Sequence, residues 1–148
     1  MNIARIAFLP SLRLFDDLAL LAIRLVTGAL LIHGVWDNIV DAGRMLEFEA
    51  FLRVHGFAWP SVMAPLSVWV QFLVGAGLIL GLLTRWSGLL CVANFIVALV
   101  MVHLDQDFRN WWPALALILL GLIFATRGAG RYALDWLLQS RGAGSRPG

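Results

Sequence analysis

Four apolar stretches organise the chain, at about residues 18–35, 62–83, 86–102 and 112–125. Each is continuous, and none alternates apolar and polar positions as a barrel strand does. A helix needs about 20 predominantly apolar residues to cross the hydrocarbon core of a bilayer, with about 17 at the low end. Lipid offers no hydrogen-bond partners, so only helices and closed barrels span it. The pattern therefore predicts an all-α integral membrane bundle of four transmembrane helices. The fourth stretch is short, so its helix is expected to continue into "TRGAGRY", residues 126–132.

The polar breaks differ in length. Only "TRW" separates the second and third stretches, which predicts a tight antiparallel hairpin. Residues 103–111 form a short loop, and residues 36–61 a long one. Within the long loop, Met45, Leu46, Phe48, Phe51 and Leu52 fall largely on one helical side, with Glu47, Glu49 and Arg53 on the other. That spacing predicts a short amphipathic helix lying at the interface. Gly56 and Pro60 then turn the chain back. Three regions are expected: a cytoplasmic or interfacial segment at 1–17, the membrane domain at 18–138 with a C-terminal interfacial segment, and a disordered cytoplasmic tail at 139–148. Pro10, Arg13, Asp16 and Asp17 interrupt the first apolar residues, which argues against a cleaved leader.

Composition agrees with the pattern. Of 148 residues, 61% are hydrophobic and only 14% charged, too few charges to cover a water-soluble domain. A net charge of +2, without dense basic clusters, excludes nucleic acid as a partner. The solvent for most of the surface is the lipid bilayer. Arg5, Arg13, Arg85, Arg127, Arg131, Arg141 and Arg146 fall on one predicted side, and Arg44, Arg53 and Arg109 on the other. The positive-inside rule then places both termini in the cytoplasm. Trp36, Trp59, Trp86, Trp111 and Trp112 sit at predicted interfaces, and Trp69 inside the second span.

Polar groups within spans are costly and become functional candidates. There are three: Arg24, Gln71 and Asn94. By helical rise, Arg24 lies roughly 9 Å and Asn94 roughly 12 Å above the inner boundary, which lets them meet, and Gln71 roughly 18 Å above it. Arg24 either snorkels to the surface or holds a quinone carbonyl, an anionic lipid or a substrate carboxylate. The two amides either bond across helices as packing contacts or bind a ligand. Gly77 and Gly81, at small-xxx-small spacing, with Gly75 and Gly88 extending the theme along the hairpin, are expected to mark close helix packing. On the outer side, His33 and Asp37 share a helix face, and His103 lies at nearly the same height. With Asp105 and Asp107 nearby, this group is a weak candidate for a divalent metal or for proton exchange with a quinone. Solvated loop residues are the plainer reading, since no spacing matches a metal motif such as HExxH. Cys91 stands alone in an apolar run and is expected to pack as a small hydrophobe. No haem or iron–sulfur motif is present.

Three stretches together resemble the DoxX family of small bacterial membrane proteins. "RLVTGALLIHGVWDNI" is similar to its first-helix signature, an Arg followed by a Gly and then a His-Gly pair. "GAGLILGLLTRWSGLL" resembles its second-to-third hairpin, and "GAGRYALD" its closing motif, with Ala133 where the family has Ser. Arg24, His33, Gly34, Arg85, Gly128, Gly130, Arg131 and Asp135 match those motifs position by position. The resemblance implies four helices in the inner membrane and a link to quinone chemistry or oxidative-stress complexes. Many members carry a Glu where this chain has Gln71, and the family's acidic residue before the fourth helix is missing near Trp112. Within the closing motif, Arg131 and Asp135 are four apart and can pair if the segment is helical. Tyr132, Leu134, Trp136, Leu137 and Leu138 suit the interface.

The expected function is a membrane subunit or accessory of a quinone-linked redox system. The alternatives are a non-catalytic scaffold that assembles other proteins, or a small transporter or lipid-binding protein. Protein partners of a redox complex and self-association are both compatible with the sequence, and whether the chain is an enzyme is left open.

Overall fold

The computed structural model describes residues 10–103 and 107–143. They are almost entirely helical, with no strand among the described residues. After a 3₁₀ turn at Pro10–Phe15 come α1 (Asp16–Val40), α2 (Ala42–Val54), α3 (Pro60–Leu80), α4 (Thr84–Ala98), α5 (Phe108–Arg127) and α6 (Leu134–Ala143). A π turn at Leu99–His103 extends α4. Four segments are long and apolar enough to cross a membrane: Leu12–Val40, Pro60–Leu80, Thr84–Val102 and Phe108–Arg127. The four-span expectation therefore holds. Large side chains such as Val26, Leu30, Leu73 and Leu89 are exposed on the helix surfaces. So much apolar exterior has lipid, not water, as its natural neighbour.

The buried face of α1 recurs at helical spacing through Leu20, Arg24, Thr27, Gly28, Leu31 and Val35. It packs mainly on α3, and α4 packs mainly on α5; α3 and α4 join the two pairs. Each pair is brought close by facing glycines. A Cβ on Gly28 would stand 2.6 Å from the Gly75 carbonyl, and one on Gly75 would stand 2.8 Å from that of Gly28. Gly88 and Gly121 repeat the arrangement at 2.5 and 2.9 Å. Lipid tails are as apolar as leucine, so close backbone approach is a main source of helix–helix attraction here. The core between the pairs contains Leu20, Leu31, Val74, Leu78, Cys91 and Phe124. Cys91 packs as a small apolar residue, its thiol donating to the Leu117 carbonyl at 3.6 Å.

Of the glycines expected at close packing, Gly75 and Gly88 lie at the crossings, and Gly77 and Gly81 do not. Gly81 ends α3 in the left-handed region, with φ +65°. Leu82 N donates to Gly77 O at 2.9 Å and Gly81 N to Leu78 O at 3.3 Å, the two bonds of a Schellman termination. Leu83 follows with φ +50° and starts α4 immediately. The hairpin is tight as expected.

The fourth span grows at the opposite end from that expected. It starts at Phe108, four residues before Trp112, and stops at Arg127. Gly128, at φ +79°, ends it, so "GAGRY" is a non-helical loop and not a continuation. The last helix runs through Ala143, into the stretch expected to be disordered from residue 139; residues 144–148 lie outside the described residues. The amphipathic helix α2 is longer than the 45–53 expected. Asp41 caps it, its carboxylate accepting from Gly43 N at 2.7 Å. Its Leu52 is buried, and Glu49, expected on the wet side, is largely covered beside Arg53 at 2.7 Å.

The glycine crossings make a contrast that can be measured. Gly88→Val should cost on the order of 2 kcal/mol through backbone separation. Gly34→Ala should be neutral or stabilise by up to about 1 kcal/mol, because a Cβ there meets nothing within 4 Å. Unfolding in mixed micelles with increasing denaturing detergent would rank the two. Equal stability of Gly88→Val and the wild type would remove the crossing from the account.

Candidate functional site

Arg24 sits about 12 Å along α1 from Asp16 by helical rise, yet it is only 1% exposed. It neither snorkels nor meets Asn94. Its Nε donates to the Leu78 carbonyl at 2.9 Å, and Nη2 to the Tyr132 carbonyl at 3.1 Å. Nη1 donates to the Ala129 carbonyl. One planar cation thus ties α1 to the end of α3 and to two points of the closing loop. A planar fork with five donors can do this, and a lysine ammonium cannot. Gly81 is needed for room as well as for its backbone angle, since a Cβ there would stand 2.7 Å from Arg24 Nη2.

The rest of the closing motif is held in the same way, by side chains on backbone groups. Asp135 accepts from Leu83 N at 2.8 Å and Thr84 N at 2.9 Å, capping α4 from a distant part of the chain. Its own N–H donates to Gly81 O at 2.9 Å. The Arg131–Asp135 pair expected from their spacing does not form, because residues 130–133 are not helical and the carboxylate is turned to α4. Instead, Arg131 N donates to Asp17 Oδ1 at 3.1 Å. Arg85 donates through Nη1 to the carbonyls of Ala125 and Thr126 at 2.9 and 2.7 Å, satisfying the last turn of α5. Arg127 pairs with Asp16 at 3.1 Å. The start of α1 and the end of α5 therefore lie at one end of the bundle.

A different environment surrounds the two amides. An apolar cavity of about 540 Å³ lies between α2, α3 and α4. Phe48, Phe51 and Leu52 of α2 form one wall, and Phe57, Met63, Leu66 and Val70 another. Pro60 at the first turn of α3 suits a helix start there. Ser67, Gln71 and Asn94 are the polar lining. Gln71 Nε2 donates to Ser67 Oγ at 3.2 Å, and Ser67 Oγ donates to Asn94 Oδ1 at 3.0 Å. This chain uses one end of each amide. Among the described residues, no hydrogen bond engages the Asn94 N–H₂ group or the Gln71 carbonyl. Sequence reading missed Ser67, although it lies one helical turn before Gln71 on the same face. Among the described residues, no ionisable side chain lines the cavity.

His33 and Asp37 share a second, open cavity with Trp36, and both are exposed. Asp37 accepts from Asn38 N at 3.0 Å. The side chain of His103 and all of Asp105 lie outside the described residues, so the expected cluster is placed only in part. Among the described residues no three His, Cys, Asp or Glu side chains come together as a metal site. His55 contributes to neither cavity lining; its Nδ1 lies 2.8 Å from the Phe51 carbonyl and its ring 4.1 Å from that of Phe51.

Comparison with known families adds a decisive match. The DoxX family profile matches residues 19–104, more than half of the 148-residue chain. The chain belongs to the DoxX family. Neither a curated protein nor a solved structure matches it. The matched region of this DoxX protein holds Arg24, both cavity amides, and His33 and Gly34. It ends before the closing motif, which the structure joins to it through Arg24 and Asp135.

Removing the cation should open that join. Arg24→Leu is expected to cost on the order of 3 kcal/mol or more, since three charge-assisted bonds are lost together. Arg24→Lys should recover only part of this. Thermal unfolding in detergent, with limited proteolysis after Arg127, reads both effects. An unchanged melting temperature in Arg24→Leu would refute the structural role.

Proposed function

We propose that this DoxX-family protein binds a neutral, largely apolar ligand of the quinone class in the cavity beneath α2. In this reading it serves as a membrane subunit or accessory of a redox system in the bacterial inner membrane, with both termini in the cytoplasm. One observation carries the reading: an apolar cavity whose polar lining of Ser67, Gln71 and Asn94 leaves, among the described residues, the Asn94 N–H₂ and the Gln71 carbonyl unengaged. A buried or half-buried polar group without a partner costs free energy, and a ligand carbonyl or hydroxyl would recover it. Pockets of this kind, apolar with a few convergent polar groups, are the usual form of small-molecule sites.

The donor set fits a quinone. The Asn94 N–H₂ can donate to a ring carbonyl, and the Gln71 carbonyl can accept from a hydroxyl of the reduced form. The aromatic side chains of Phe48, Phe51 and Phe57 suit a flat ring. When bound, the quinone would supply the two-electron chemistry, and the protein would supply position and exclusion of water. The candidates His33 and Asp37 line a separate cavity and are kept as a place for proton exchange at the surface.

The test is binding of a short-chain quinone to the purified protein in nanodiscs, read by native mass spectrometry and thermal shift. Asn94→Leu and Gln71→Leu keep similar volume and remove the amides. Each is expected to weaken binding by about tenfold, the equivalent of one hydrogen bond of about 1.4 kcal/mol. Undiminished binding in the double variant rules out the pocket. Absence of quinone binding in the wild type rules out the ligand class.

A further inference from the structure

At the arginine-rich end of the bundle lies another cavity, of about 420 Å³, which the reading above does not use. Arg85, Arg127 and Arg131 line it, with Trp86 and Trp136 at its sides and Gly128 in its wall. We infer that this cavity is a binding site for the phosphate headgroup of an anionic glycerophospholipid.

The arginines are not equivalent. Arg127 is already paired with Asp16. Arg85 is anchored through Nη1 on two carbonyls, which leaves its Nε and Nη2 groups to meet a ligand. Its guanidinium lies against Gly128, where a Cβ would stand 3.3 Å from Nε. Arg131 is fixed through its backbone N–H on Asp17, while its side chain makes no hydrogen bond or ion pair among the described residues. The two carboxylates that also line the cavity are engaged by backbone groups: Asp17 accepts from Arg131 N, and Asp135 from Leu83 N and Thr84 N. Arg85 and Arg131 therefore present charge that no side chain takes up.

The position argues for a lipid as the source of the anion. Trp86 and Trp136 are exposed, and indole prefers the headgroup level of a bilayer. Leu83, also exposed, lines the same cavity and offers apolar surface to an acyl chain. Basic pockets of this kind between helices are suited to anionic headgroups. A zwitterionic lipid would bring its own cation against the two arginines.

The experiment uses the full-length protein in neutral detergent, mixed with phosphatidylglycerol, phosphatidylcholine or glycerol 1-phosphate, and read by native mass spectrometry. Phosphatidylglycerol adducts should exceed phosphatidylcholine adducts by about fivefold or more, one arginine's share of surface attraction. Arg131→Gln should abolish the excess without lowering the melting temperature, because its side chain holds nothing in place. Arg109→Gln, at the other end of the bundle, should leave the excess intact. Equal retention of the two lipids, or an excess that survives Arg131→Gln, overturns the site. Glycerol 1-phosphate bound as well as phosphatidylglycerol overturns the lipid assignment in favour of a free phosphate ester.

Discussion

A single guanidinium, that of Arg24, joins three parts of this protein that are distant in sequence. Burying a cation is expensive unless every nearby acceptor is well placed. Here the acceptors are backbone carbonyls at the end of α3 and in the loop after α5. Neither partner is stable in a membrane without the other. The loop is non-helical and runs through a buried position, with Gly128, Ala129 and Ala133 covered. Irregular backbone at that depth survives only where protein supplies the hydrogen bonds. Arg24 supplies them, and the loop in turn keeps the charge from lipid.

The same exchange recurs around this end of the bundle. Asp135 caps α4, Arg85 closes α5, and Asp17 fixes Arg131 by its backbone. In each case a side chain from one segment satisfies the backbone of another. Helix ends leave four unsatisfied groups; the Schellman bonds at Gly81 close α3 locally, while the start of α4 has no cap from its own segment. Long-range capping is the remaining solution. It also anchors Arg85 by its guanidinium and Arg131 by its backbone beside their cavity. The opposite end is built differently, with the short helix α2 laid over an apolar cavity.

The spans and their order were legible because hydropathy reports the solvent of a segment directly. A helix in the first loop was legible too, but not its two faces, since Glu49 on the expected wet side is covered and Leu46 on the expected apolar side is exposed. The end of the fourth span was not, because "TRGAGRY" reads as a plausible last turn until Gly128 is seen at a positive φ. Nor was the role of Arg24. Spacing along one helix shows that a cation is inside the membrane, but not that three carbonyls from other segments converge on it. Arg131 and Asp135 mislead in a related way, since an i,i+4 rule applies only to helical residues. The amides at Gln71 and Asn94 were identified as unusual, and their link through Ser67 follows from a register between α3 and α4 that no local rule contains. Of the glycines that mark close packing along the hairpin, Gly75 and Gly88 are used, against Gly28 and Gly121, and Gly77 and Gly81 are not. A small-residue spacing marks where close approach is permitted, and the partner helix decides which glycine is used.

The amide pair also restricts what chemistry the apolar cavity can support. Ser67, Gln71 and Asn94 neither gain nor lose protons in the physiological range. A ligand held by them can be oriented and shielded, but its protons must leave by another route. An apolar wall would also penalise a charged ligand heavily. The cavity is therefore suited to a neutral molecule, and under the proposed function this is a quinone in either of its uncharged redox forms, with electrons supplied or removed by a partner. His33 and Asp37, exposed beside a separate cavity, are placed where protons can be exchanged with water. Separating an uncharged binding pocket from a titratable surface is compatible with an accessory subunit, whose task is to present a ligand and not to transform it.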